Sequence, residues 1–153
     1  MPRVDEKGKR FEFLIARLDE ARKKDYYIEA MAITYALMEE RTYSLLDKLG
    51  IPYKNRDKLF QCLTYLKNSI MDKTLAIVPT KVSVDELTDY LQVELIDSNL
   101  IDDIQTWRDT RNNVIHDLAK TTIDYSALKV PCDNGSDYFR KYTACIMKVK
   151  KML

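Results

Sequence analysis

Apolar residues recur along this chain at alternating steps of three and four, the spacing that aligns one face of a helix. Phe11, Leu14, Ile15 and Leu18 mark a first helix over roughly residues 4–23. A second, more regular helix carries Ile28, Met31, Tyr35, Met38, Thr42, Leu45 and Leu49. It stops at Gly50, and Pro52 prevents its resumption. Asn55 is placed to cap a third helix bearing Leu59, Leu63, Leu66, Ile70 and, at its edge, Leu75, with Pro79 closing that region. Ser83 and Glu86 have the spacing of a capping box, each able to satisfy the other's backbone donor, ahead of a short fourth helix ending near Glu94. Asp97 or Ser98 then caps a fifth helix over about 98–120, where Asp102 and Asp103 favour the positive end. Its stripe is Leu100, Ile104, Trp107, Val114 and Leu118, with Ile101 and Ile115 flanking. Residues 121–135 read as irregular because of Pro131 and the turn-like Asp133-Asn134-Gly135. Ser136 is expected to start the last helix, which carries Phe139, Tyr142, Ile146, Val149 and Met152. The whole predicts an all-α fold, a compact bundle of five to six helices in a single domain over 1–153.

Composition agrees: with Gly 3 and Pro 4 in 153 residues, there are few breaks in the helical pattern. A chain of this length buries roughly two-thirds of the surface its unfolded form exposes. Cys62, Cys132 and Cys145 are widely spaced and odd in number, so they read as reduced thiols of a cytoplasmic protein. No apolar run reaches the ~20 residues of a membrane span, and the charged N-terminus lacks a signal-peptide core. The formal net charge of +1 conceals an asymmetry. Residues 85–103 hold seven acids and no Lys or Arg, while 126–153 hold six bases against two acids and the first 24 residues eight bases against five acids. Such segregation suits either a polyanion on the basic ends with a protein on the acidic face, or plain solvated helix faces.

The fifth helix carries the chain's one histidine, in Arg111-Asn112-Asn113-Val114-Ile115-His116. At 100° per residue Arg111 interrupts the apolar stripe between Trp107 and Val114, and an arginine there must be paired, face a cleft or face a partner. His116 lies about 140° round the helix and about 7.5 Å along it from Arg111. Arg108, Asn112 and His116 form a polar line at steps of four, with Arg111 and Asn113 beside it. A kink in the helix, or a second copy across a two-fold axis, would bring Arg111 and His116 around one anion.

This hexapeptide, set late in an all-helical chain on a long helix, resembles the Arg-x(4–6)-His signature of the HEPN superfamily, where the residue after the Arg is commonly Asn, His or Asp. The resemblance implies a metal-independent endoribonuclease acting as a homodimer, often in toxin–antitoxin, antiviral or other defence systems. It makes Arg111 and His116 the catalytic pair and Asn112 the supporting polar residue. One departure stands out. A toxin branch continues the motif with a Tyr two residues after the His, modified by the partner antitoxin, and here that position is Leu118.

The residue types fit RNA cleavage on their own terms. A 2′-hydroxyl can attack its neighbouring phosphate, so the protein need supply only a proton-transfer group and a cation for the charge growing on the phosphate oxygens. Glu39 is a further candidate, either turned inward to pair with Arg111 or solvated at the core boundary, and Arg108 and Asn113 could support the site. Arg22, Lys141 and Lys148 are candidate RNA contacts from the terminal helices. Tyr26, Tyr27, Tyr43, Tyr53 and Tyr65 could stack on bases or pack between helices. No metal set, Gly-rich phosphate loop or serine elbow is present, so no cofactor is expected. The alternative to a nuclease is a non-catalytic helical module that binds RNA, or an adaptor that meets a protein through 85–103.

Overall fold

Burial is deepest along α2 (Tyr27–Leu49), where Ala30, Met31, Leu37, Met38, Leu45, Leu46 and Leu49 are all fully buried. Apolar residues on more than one narrow stripe make this the central helix, against which α1 (Val4–Lys23) and α6 (Lys129–Met152) pack. The computed structural model describes residues 4–120, 122 and 124–153, with side chains from Gly8 onward. Those residues form six α-helices and no strand, the remaining three being α3 (Leu59–Met71), α4 (Val84–Leu91) and α5 (Leu100–Leu118). A contiguous apolar core runs from Leu18 to Val149. No helix among the described residues is long and apolar enough to cross a membrane.

Helix ends follow local rules. Gly50 adopts a left-handed conformation (φ 69°) and closes α2 with paired bonds, Ile51 N–H to the Leu46 carbonyl and Gly50 N–H to the Asp47 carbonyl. The same 6→1 and 5→2 pattern ends α1 at Asp25 (φ 58°) and α3 at Lys73 (φ 55°). Lysine bears a Cβ penalty there that glycine escapes. Lys73→Gly is therefore expected to stabilise the fold by up to about 1 kcal/mol, and Gly50→Ala to destabilise it by at least about 1 kcal/mol. Thermal melts of the two variants should shift in opposite directions.

Four boundaries differ from the sequence expectation. α3 starts at Leu59, not after Asn55, because Asp57 ties the preceding loop by accepting from the Lys54 N–H (2.8 Å) and the Tyr65 hydroxyl (3.1 Å). Ser83 does cap α4, accepting the Glu86 N–H at 3.1 Å. But α4 then runs on as a π-helical segment, Gln92–Asp97. Leu87, Leu91 and Leu95, all fully buried, recur at steps of four. In an α-helix each such step drifts about 40°, and the wider turn keeps them on one line. Third, α5 begins at Leu100 after a left-handed Asn99 (φ 64°), although Ser98 Oγ still accepts the Leu100 N–H at 3.2 Å.

The last difference is the largest. Residues 129–135, expected to be irregular, are the first turns of α6, entered from a 3-10 turn at Tyr125–Leu128. Pro131 stands third in the helix, where an N–H has no intrahelical partner to lose. Gly135 is buried against Trp107 of α5, and the indole Nε1–H donates to the Pro131 carbonyl at 2.8 Å. A tertiary contact therefore holds as helix a segment that reads locally as a turn.

Candidate functional site

Beyond Trp107, no residue of α5 is fully buried. Val114, Ile115 and Leu118 are half-buried, and Asn112, Asn113 and His116 are exposed. The helix leaves the core carrying its motif outward. It stays α-helical to Leu118, so no kink draws His116 back toward Arg111. Among the described residues nothing hydrogen-bonds the His116 imidazole.

Arg111 is half-buried and lies over the Tyr35 ring of α2, 4.5 Å from guanidinium carbon to ring centroid. Its Nη1 donates to Asn112 Oδ1 at 2.9 Å, while its buried Nε has no hydrogen-bond partner. Among the described residues no carboxylate stands within ion-pair distance of it. Burial lowers its pKa from the ordinary arginine value, with Tyr35 opposing the shift. The side chain still carries its charge at neutral pH. A cation partly removed from water with no counter-charge is costly to the fold, and an anion in the groove would relieve that cost.

One turn earlier, Arg108 is also half-buried and not on an exposed polar line with Asn112 and His116 as its spacing suggested. Its guanidinium lies 5.0 Å over the ring of Phe60 at the start of α3, and Nη2 donates to the exposed carboxylate of Asp109 at 2.6 Å. Gln105, a further step back, donates to the Phe60 carbonyl at 3.1 Å, fixing α3 against α5. Buried Arg108 Nε and Gln105 Oε1 have no partners. The Tyr35 hydroxyl is raised first by burial and then by Glu39, and is lowered by Arg108 and Arg111, which places these four groups in one electrostatic neighbourhood.

Glu39 does not pair with Arg111. Its Oε2 accepts the Leu59 N–H at 3.2 Å, giving α3 an acceptor at its N-terminus from another helix. Arg22 sits away from the motif, 3.5 Å from Asp133, in a mixed-charge cleft of about 480 Å³ between the end of α1 and the start of α6. Lys148 lies 5.0 Å over the Tyr90 ring of α4, toward the far end of α6 from the Trp107–Gly135 contact. Lys141 is exposed, seven residues before it on the same face. The three expected RNA contacts therefore do not gather around Arg111.

The tyrosines are mostly structural. Tyr43 donates to the Asp57 carbonyl at 2.5 Å and stacks on Tyr53 (5.2 Å between centroids), Tyr65 donates to Asp57, and Tyr27 stacks on Tyr125. The three cysteines are buried free thiols, with burial raising Cys62 and Cys145 to about 11, which removes them as nucleophiles. No group of three metal-ligating side chains is found among the described residues. Phe60, which sequence reasoning passed over, had one visible signal, an aromatic placed outside the Leu59–Leu63–Leu66–Ile70 stripe; in the structure the residue is about half exposed (49%). Compared with known protein families, curated proteins and solved structures, the chain matches none.

Proposed function

We propose that this protein is a metal-independent endoribonuclease of HEPN type that works as a homodimer. The observation that carries the reading is Arg111: a half-buried guanidinium that finds no carboxylate partner among the described residues, on the same unbroken helix as an exposed histidine. A salt-bridged arginine would have supported a purely structural role. Arg111 grips a phosphate, Asn112 holds the guanidinium in register, and His116 moves the proton. With α5 an unbroken α-helix, Arg111 and His116 of one chain diverge by about 140°, so two copies meeting along the outer half of α5 complete the site. Half-buried Val114, Ile115 and Leu118 supply apolar surface for that meeting. The resemblance supports a defence setting and an antitoxin or other protein partner, and the three free thiols support a cytoplasmic one.

Incubation of the purified chain with RNA in EDTA is expected to yield fragments ending in 2′,3′-cyclic phosphate. Light scattering at tens of micromolar should report a dimer, and RNA affinity should fall steeply with salt as phosphates release counterions. A chain that binds RNA but leaves it intact would shift the reading to a binding module.

A further inference from the structure

Resting on that reading, we infer that Phe60 and Arg108 form a nucleotide subsite beside Arg111, one that takes an unpaired base and makes the substrate single-stranded or looped RNA. Arg108 and Arg111 are three residues apart on one helix face, so their Cβ atoms are about 5–6 Å apart. Each guanidinium lies over an aromatic ring, Phe60 or Tyr35, and each donates through only one Nη, to a neighbour in sequence. Two adjacent cations with spare donors can hold the run of phosphates that one strand presents. Asp109 competes for Arg108, but its carboxylate is 63% exposed, and exposed pairs of this kind yield readily. Glu39, which acts on Tyr35 alongside the two arginines, accepts the Leu59 N–H at the N-terminus of α3.

Phe60 adds what phosphates cannot. Phe60 is 49% exposed although Gln105 anchors its backbone carbonyl, and Arg108 lies over only one side of its ring, so an apolar side chain is held at the rim of the cation pair with its other side open to a base. A base can stack on such a face whatever its identity. A base within a duplex already has both faces covered, so the subsite accepts unpaired nucleotides and rejects paired ones. The two side chains divide the labour: Arg108 holds backbone charge, and Phe60 senses strandedness.

The test uses the whole chain and 2′-O-methyl RNA, which cannot be cut, so binding is read apart from cleavage. Fluorescence anisotropy should show the single strand bound more tightly than the duplex, with Phe60→Leu about tenfold weaker on the single strand and unchanged on the duplex. An oligonucleotide series with one abasic position moved along the strand should contain a member that costs the wild type the same factor and costs Phe60→Leu nothing further. Arg108→Gln should weaken binding to intact and abasic strands alike. Equal affinity for single strand and duplex, or a Phe60→Leu defect that persists on every abasic strand, overturns the subsite. Failure of the nuclease reading looks different: intact binding preferences with no cleavage of ordinary RNA. Unaltered melting temperatures confirm that the variants fold.

Discussion

Replacing His116 by alanine is expected to slow RNA cleavage by about 10²–10⁴-fold, the contribution typical of a positioned acid–base group. The substitution is clean because the imidazole is exposed and alanine is the better helix former, so the fold and the RNA affinity should be unchanged. Arg111→Lys should lose a comparable factor for a different reason. Lysine presents a point charge where a planar fork is needed, and it loses the flat contact with Tyr35 that holds the guanidinium in place. Because Arg111 is a half-buried cation with no counter-charge among the described residues, its neutral replacement by Gln should leave the melting temperature unchanged or raise it while activity disappears. That combination separates a functional arginine from a structural one. Full cleavage by His116→Ala would sink the mechanism, and a large fall in stability of Arg111→Gln would show that the guanidinium serves the fold.

How much of this was legible in the sequence depends on how local the cause is. α1 spans Val4–Lys23 and α2 stops at Gly50, as the periodicity and the glycine predicted, because those signals act within one or two turns. The same holds for Ser83. The π-helical run at Gln92–Asp97 was written in the four-residue spacing of Leu87, Leu91 and Leu95, but that drift is small and easily read as an α-helix. The candidate site divides the same way. Arg111, Asn112 and His116 are legible as residue types at a spacing. Their surroundings are not, since Tyr35 and Phe60 come from two other helices and Glu39 turns out to serve α3. Arg108 reads in sequence as part of a polar line with Asn112 and His116 that could support the site, and only the start of α3 makes it a stacked, half-buried residue.

Trp107→Ala is expected to destabilise the protein by about 3–5 kcal/mol, the usual range for deleting a large buried aromatic side chain. The indole is 3% exposed, fills the space over Gly135 and donates its Nε1–H to the Pro131 carbonyl, so its loss removes packing and a bond together. Gly135 is the other half of the joint. A Cβ built there would stand 2.4–2.6 Å from Cε2, Cζ2 and Nε1 of Trp107, a rigid ring that cannot bend aside. Gly135→Ala gains about 1 kcal/mol of helix propensity but is expected to lose more than that to the overlap, for a net cost of about 1–2 kcal/mol. The two changes should not add. With the ring gone the new methyl occupies vacated space, so the double variant should be more stable than Trp107→Ala alone. Urea unfolding of the four proteins in the cycle measures this directly. Additive costs would mean that the α5–α6 contact does not depend on the indole meeting a bare backbone. The cycle also bears on the site, because this joint fixes the last buried turn of α5 before Arg108 and Arg111 project from it.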